Sequence, residues 1–217
     1  MEPIEKSLKS EKQVAIARLQ DLAMDAALAI EKEVILHGGT AIWRCFGGKR
    51  FSFDLDLYAS DKQLKKLTSN LTWEFNKRGI TIDYPYSTER VIDIHNAQAS
   101  VKLEILKKPA GKRSVQKEYT RADGTKMFIN TLSETDLITE KIKAYKSRSY
   151  ARDLYDIYHL LSLNEKVDKK MKRKLKAFLK SITPPKDEKQ LKELVYVGVA
   201  PSLDTILNYI KAASNEI

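Results

Sequence analysis

The chain has 217 residues, 42% of them hydrophobic, with only 8 glycines and 6 prolines. This composition excludes a disordered or collagen-like protein and allows a folded core. No apolar stretch reaches the roughly 18 residues of a membrane span, and the first residues are charged, so we expect neither a membrane helix nor a signal peptide. Cys45 is the only cysteine, so we expect no disulfide within the chain and a cytoplasmic location. The formal net charge of +10 at pH 7 favours polyanionic partners such as RNA, DNA or nucleotides.

Helical and strand patterns alternate through the first part of the chain, and only helical patterns follow. The later helical pattern is interrupted at Pro184-Pro185 and near Pro201. We therefore predict an α+β domain over residues 1–132 and a C-terminal helical domain over residues 133–217. The elements predicted in the first domain are a helix over 4–30, a strand over 34–37, a helix over 40–46, a strand over 52–58, a helix over 60–78, and strands over 80–84, 90–95, 98–106, 115–119 and 126–130.

A glycine pair follows the first predicted strand. Gly38 and Gly39 allow a tight turn and a close approach of the backbone to a ligand. Thr40 can cap the next helix, because its hydroxyl can accept a bond from a backbone N–H group. Free N–H groups at a helix N-terminus bind phosphate, so this turn is a candidate phosphate-binding site. A lone histidine at the end of a strand, such as His37, is more typical of a structural residue.

Two carboxylates separated by one apolar residue occur on the next predicted strand. Side chains two residues apart share one face of a strand, so Asp54 and Asp56 are expected to point the same way. Phe53, Leu55 and Leu57 are then expected to point to the opposite face. Neighbouring carboxylates repel each other unless a cation neutralises them, and Mg²⁺ prefers oxygen ligands of this kind. The pair therefore predicts a metal site near the glycine turn.

The segment HGGTAIWRCFGGKRFSFDLDLY resembles the first motif of the polymerase-β-type nucleotidyltransferase superfamily, and it is most similar to the AbiEii/AbiGii-type toxins. That family shows Gly-Gly-Thr-Ala-Leu and then Arg-x-Ser-x-Asp-x-Asp, and this chain departs from it only by Ile42 in place of Leu. The resemblance implies a nucleotidyltransferase-like mixed β-sheet flanked by helices. It also implies a set of nucleotide-binding residues: Gly38, Gly39, Thr40, Arg50 and Ser52.

A third carboxylate is expected on a later strand. In the segment SVKLEI, Lys102 and Glu104 alternate with apolar residues. If this strand lies beside residues 53–58, Glu104 can complete a three-carboxylate site with Asp54 and Asp56, and the resemblance implies a third acidic residue at this position. Asp93 is the competing candidate, and an exposed Lys–Glu pair is the alternative interpretation of the segment.

Two further motifs of the family match the helical region. The resemblance implies that Lys141 contacts the triphosphate, that Asp153 belongs to the active site, and that Arg152 helps to bind the nucleotide. The alternative is a pair of helices joined by structural Arg–Asp pairs, and this alternative is strongest for Asp156. For Arg50, contact with phosphate and pairing with an acidic residue are both open.

Together these residues predict a nucleotidyltransferase that uses a nucleoside triphosphate and two Mg²⁺ ions. Asp54, Asp56 and Glu104 would bind the metal. The acceptor would be an RNA 3′ end, such as that of tRNA, or a protein hydroxyl, and the family implies a toxin with a separate antitoxin protein. Basic runs over residues 107–117 and 165–190 can follow a phosphate backbone. The alternative function is a nucleic-acid- or nucleotide-binding protein without catalysis.

Overall fold

The computed structural model of the chain describes residues 3–83, 90–163 and 167–215. The chain divides into two compact units. The first unit ends at Ser133, one residue after the predicted end of the first domain at residue 132. The sequence did not predict that a short internal segment, residues 48–50, belongs to the second unit. The first unit contains Met1–Gly47 and Phe51–Ser133, and the second contains Gly48–Arg50 and Glu134–Ile217.

The first unit is built on a mixed β-sheet, which has seven strands among the described residues. The strands are β1 Ile35–His37, β2 Leu55–Ala59, β3 Thr81–Asp83, β4 Val91–His95, β5 Ser100–Lys107, β6 Ser114–Thr120 and β7 Lys126–Leu132. Their spatial order is β3-β4-β5-β2-β1-β7-β6. Two neighbouring pairs, β2 with β5 and β1 with β7, are parallel, and the other pairs are antiparallel.

Alternation of apolar and polar side chains fixes which face of the central strands is buried. On β5, Val101, Leu103 and Ile105 are at most 2% exposed, whereas Lys102 is exposed and Glu104 is partly exposed. Leu55 and Leu57 of β2 are fully buried beside this apolar row. The opposite face of these strands therefore carries their polar side chains.

Three helices accompany the sheet: α1 Glu11–Ile30, α2 Gly38–Cys45 and α3 Asp61–Asn76. The single helix predicted over residues 4–30 is wrong at its start, because a short 3-10 helix, Ile4–Ser7, comes first and Leu8 is extended. The side chain of Ser10 then accepts a bond from the backbone of Gln13 and starts α1. The start of α3 near residue 60 is confirmed, with Ser60 and Gln63 forming a capping box.

The second unit is helical, as the sequence predicts. The predicted breaks at residues 184–185 and near residue 201 both fall between helices. No helix within the described ranges is long and apolar enough to cross a membrane. The helices of this unit are α4 Glu134–Arg148, α5 Ala151–Ser162, α6 Lys169–Lys180, α7 Glu188–Leu194 and α8 Leu203–Asn215.

Candidate active site

Asp56 and Glu104 are direct neighbours across the parallel strands β2 and β5, where they are Cα partners. Partners in register point to the same face of a sheet, and both carboxyl groups are partly exposed on the polar face. On the other side of Asp56, its antiparallel partner on β1 is His37. His37 is 7% exposed and its ring stacks on Tyr58 at a centroid distance of 3.6 Å, which is a packing contact.

The competing acidic residue, Asp93, lies elsewhere in the register. On β4 it is the partner of Lys102, and the β4 partner of Glu104 is Val91. Asp93 therefore lies one strand beyond Glu104 as counted from Asp56, and it is two residues along β4 from the position that faces Glu104. Of the two acidic residues considered from the sequence, Glu104 is the one beside Asp56.

Asp54 lies just before β2, which begins at Leu55. The strand predicted over residues 52–58 thus begins too early. Phe53, which was predicted to share a face with Leu55 and Leu57, precedes the strand and is 41% exposed, whereas the two leucines are buried. The backbone carbonyl of Asp54 accepts bonds from the Thr40 hydroxyl at 2.5 Å and from Gln20 Nε2 at 3.3 Å. These contacts fix the position of the backbone from which the Asp54 carboxylate extends.

The predicted capping role of Thr40 is wrong. Helix α2 begins at Gly38, its N-cap residue is His37, and no side chain caps it. The Thr40 hydroxyl is fully buried and donates instead to Asp54, so it links the first turn of α2 to the carboxylate segment.

Gly38 lies directly against the carboxylate of Asp56. Its φ angle of +73° is in the left-handed region, which favours glycine. A Cβ at this position would collide with Oδ2 of Asp56 and stand 3.1 Å from its Cγ. The sequence predicted that the backbone at this glycine approaches a ligand closely. In the structure, the Gly38 backbone closely approaches the Asp56 side chain. Gly39 is buried in the first turn of α2.

Gln20 is a site-supporting residue that the sequence analysis missed. It is fully buried on α1, and its Nε2 atom donates to the carbonyl of Ser52 at 2.9 Å as well as to that of Asp54. Ser52 itself is 7% exposed. The sequence contains a signal for this role, since Gln20 lies on an otherwise apolar face of the predicted helix. A buried amide needs hydrogen-bond partners, so this position indicates a polar contact inside the protein.

The chemistry of the donors fits a divalent cation. Asp54, Asp56 and Glu104 offer only carboxylate oxygens, the ligands that Mg²⁺ prefers, and two of these residues are adjacent on one face. Within the described part of the chain, no three His, Cys, Asp or Glu side chains are already arranged as a metal site. The case for a divalent cation therefore rests on the carboxylate ligands themselves and on the position of Asp56 and Glu104 on the same face of the sheet.

The second unit contains a buried charge cluster, defined here as Arg50, Lys141, Arg148, Asp153 and Asp156. Arg50 donates two bonds of 2.6 Å to Asp156, and Lys141 Nζ lies 2.8 Å from Oδ2 of the same carboxylate. Arg148 donates to Asp153 at 2.7 and 2.8 Å. Both aspartates are fully buried and Lys141 is 5% exposed, whereas the Arg148 side chain at the surface end of the cluster is 39% exposed. Pairing of Arg50 with an acidic residue, one of the two alternatives from the sequence, is confirmed.

Within the cluster, Arg50 and Asp156 stabilise each other's charged forms. Burial on its own would raise the pKa of Asp156, but the charges and hydrogen bonds of Arg50 and Lys141 outweigh burial and lower that pKa below its ordinary value. Burial likewise disfavours the charged form of Arg50, and the Asp156 carboxylate outweighs it and raises the Arg50 pKa. The ion pair is therefore the stable form of both residues at neutral pH.

Arg148 is the member of the cluster that the sequence analysis missed. Arg148 pairs with Asp153, whereas the guanidinium of Arg152 lies 5.3 Å from the ring centroid of Tyr150. The available signal was the spacing of seven residues between Lys141 and Arg148 on α4, which places two cations on the same helix face.

Comparisons with known proteins identify both a family and a fold. The model of a family described as nucleotidyl transferase AbiEii toxin, type IV toxin–antitoxin system, matches residues 22–197. The solved structure of JHP933 from Helicobacter pylori is similar, with a TM-score of 0.58 and 19% identity over 95% of this chain and 92% of that one. An H. pylori protein described as a candidate nucleotidyltransferase has a TM-score of 0.51 and 21% identity over 94% and 91%. At these identities the two structures show the fold alone. No curated protein sequence matches the chain.

Proposed function

Because the chain belongs to the AbiEii family of type IV nucleotidyl transferase toxins, we propose that it transfers a nucleoside monophosphate from a nucleoside triphosphate to an RNA 3′ end or a protein hydroxyl in a Mg²⁺-dependent reaction. The observation that carries this proposal is the in-register pairing of Asp56 with Glu104 on the polar face of the sheet. Its cellular partner would be an antitoxin protein, and it would act in the cytoplasm.

Asp54, Asp56 and Glu104 are the residues that would hold Mg²⁺, with two ions expected. When bound, the metal would neutralise charge on the triphosphate and on the leaving pyrophosphate. Thr40 and Gln20 support this role indirectly, because they hold the Asp54 backbone in place.

The reaction requires one proton acceptor and a fixed triphosphate. The acceptor hydroxyl oxygen forms a bond to the α-phosphorus, the bond from that phosphorus to the bridging oxygen breaks, and pyrophosphate leaves. We assign the hydroxyl proton to the Glu104 carboxylate. Gly38 and Gly39 form the first turn of α2, where free N–H groups and the helix dipole favour a phosphate, and the Ser52 hydroxyl would add a donor.

The buried charge cluster supports a second contact to the substrate. Three cations meet two carboxylates in it, so the five residues together carry an excess positive charge. We propose that Lys141 contacts the triphosphate and that Asp153 holds Lys141 and Arg148 in position. Arg152 would add positive charge for the phosphates, whereas Arg50 would hold Asp156 in place.

Transfer of the α-phosphate distinguishes this function from its alternatives. The protein is incubated with Mg²⁺, total RNA and protein extract, and a triphosphate labelled either at the α- or at the γ-phosphate. We expect macromolecular label only from the α-labelled substrate, and its removal by ribonuclease or by protease identifies the acceptor. Label from the γ-position would indicate a kinase, and triphosphate binding without any label transfer would indicate a binding protein.

The assignment of the carboxylates is tested by three matched substitutions that each replace one acid by its amide. Asp56→Asn and Glu104→Gln are expected to lower α-label transfer at least about 100-fold, as expected for loss of a group that stabilises the transition state. Asp93→Asn is the control, since Asp93 is on the same sheet but is paired with Lys102. Equal loss in all three variants would contradict the assignment.

A further inference from the structure

Helix α6 has a charge distribution unlike that of a typical surface helix. Seven of its 12 residues are Lys or Arg, and none is Asp or Glu. Its apolar side chains Met171, Leu175 and Phe178 are at most 3% exposed. One face of α6 is thus fully used in packing, and the other faces are basic.

Four of these basic residues form a continuous line, which we call the basic stripe: Lys169, Arg173, Lys176 and Lys180. Their spacing of four, three and four residues places them on one face of the helix, opposite the buried residues, over about 16 Å of its axis. All four are exposed. None of the four forms a salt bridge with a residue that the structure describes.

Like charges at this spacing repel each other and disfavour the helix. Surface helices usually relieve such repulsion with acidic residues one turn away, and α6 has none. A bound polyanion would relieve the repulsion along the whole stripe at once. The stripe therefore has the charge pattern expected of a surface that functions with an anionic partner.

The stripe extends into a groove of about 490 Å³ between α6 and α8. Lys176 and Lys180 line one side of it, and Lys211, also exposed, lines the other. Asn208 and Asn215 add amide groups, which can donate to phosphate or sugar oxygens. Leu179, Ile182 and Leu207 also line the groove, which therefore combines cations and neutral hydrogen-bonding groups with apolar side chains.

Two features favour a polynucleotide over a lipid surface or an acidic protein. A basic amphipathic helix binds membranes by inserting its apolar face, and the apolar face of α6 is buried in the protein. A protein partner would need uninterrupted negative charge over about 16 Å, whereas a nucleic-acid strand presents one phosphate for about every 3.4 Å of its helix axis.

We infer that the basic stripe, together with Lys211, is a docking surface for the phosphate backbone of RNA. The inference deepens the proposed function and rests on its RNA alternative, because the docked strand would be the acceptor. Contacts to phosphates carry no base specificity, so the surface would recognise RNA as a polyanion and leave sequence selection to other residues.

The test compares two variants with the same loss of charge. The stripe variant carries Lys169→Gln, Arg173→Gln, Lys176→Gln and Lys180→Gln, and the matched control carries four substitutions of exposed lysines of the first unit: Lys12→Gln, Lys32→Gln, Lys62→Gln and Lys65→Gln. Both are made in the full chain with Asp56→Asn, and no triphosphate is added, so that binding is measured without turnover. Binding of a labelled oligouridine of about 20 nucleotides is measured by fluorescence anisotropy across a salt series.

The stripe variant is expected to bind RNA at least about tenfold more weakly than the control variant, with the salt slope of log Kd reduced by about 3, since each contact to a single strand contributes about 0.7. Circular dichroism and thermal unfolding verify that the variant is folded. RNA affinity equal to that of the control variant would overturn the inference. The inference would also be overturned if the stripe substitutions weakened binding to phosphatidylserine vesicles or to polyglutamate but left the affinity for RNA unchanged.

The outcome is separable from that of the proposed function. In the active protein, at limiting RNA, the stripe variant should show a raised KM for RNA and an unchanged KM for the triphosphate. Stripe-dependent RNA binding in a protein that transfers no α-label would contradict the proposed function and leave the docking surface standing. Undiminished label transfer to RNA in the stripe variant would contradict the docking surface alone.

Discussion

Arg50 and Asp156 are 106 positions apart in the sequence, and two hydrogen bonds of 2.6 Å join them in the second unit. The backbone at Arg50 also forms an isolated antiparallel bridge with Val195, and the hydroxyl of Tyr196 donates to the carbonyl of Gly48. A segment of three residues is therefore fixed to the helical unit by both backbone and side-chain contacts. This arrangement explains why residues 48–50 leave the first unit although the residues on both sides of them belong to it.

Loss of the Arg50 side chain should destabilise the protein strongly. Arg50→Met leaves the Asp156 carboxylate buried beside Lys141 alone, and removal of one partner of a buried pair costs about 3–5 kcal/mol of unfolding free energy. Arg50→Lys should recover part of this loss, because lysine keeps the charge but cannot form both bonds. Urea unfolding measures the change. Lys107→Met, which breaks the exposed pair with Asp61, is the control and should have little effect.

The same pair predicts a loss of stability in acid. The pKa of Asp156 in the folded protein lies below its ordinary value of 3.8, because Arg50 and Lys141 outweigh the opposing effect of burial. Between the folded and unfolded pKa values the unfolded chain binds more protons, so this contribution is complete above about pH 4 and falls as the pH drops through the folded pKa. Between about pH 2 and pH 5, the unfolding free energy should fall less steeply with decreasing pH for Asp156→Asn than for the wild-type protein. Parallel curves would contradict the prediction.

Gly38→Ala should impair transfer far more than an equivalent change at another glycine. Gly38 and Gly47 both have positive φ angles, and alanine there costs about 1–2 kcal/mol. A Cβ at Gly47 meets no atom within 4 Å, whereas at Gly38 it collides with the Asp56 carboxylate. We expect a loss of about 100-fold in transfer rate for Gly38→Ala, as for other displacements of an active-site group, and a small change for Gly47→Ala. Similar rates in the two variants would count against a functional role for Asp56.

Thr40→Val should weaken the support of Asp54. Valine has a similar shape but cannot donate to the Asp54 carbonyl, which would retain only the longer bond from Gln20. We expect about 1 kcal/mol of lost stability and a lower rate of α-label transfer. Thr40→Ser keeps the hydroxyl and is the matched control. If the serine variant loses as much activity as the valine variant, the Thr40 methyl group and its packing explain the effect.

Local patterns in the sequence predicted most of the elements, and they also supplied the candidate catalytic motif. The glycine turn, the Asp54–Asp56 pair and the alternation around Glu104 are all short-range signals, since strand periodicity and turn chemistry depend on neighbouring residues. The errors also have local causes. The strand β2 was predicted to begin too early because periodicity alone does not show where strand pairing begins.

Tertiary structure decided the relationships between distant residues. The register of β2 against β5 places Glu104 beside Asp56, and a slip of one residue would have turned Glu104 to the opposite face. The partners of Thr40, Gln20 and Arg50 are likewise set by the packing of elements far apart in the chain. The sequence by itself determined which side chains are candidates for the chemistry. Only the folded chain decided which of them meet, because contacts over long separations depend on strand register and on packing of the core.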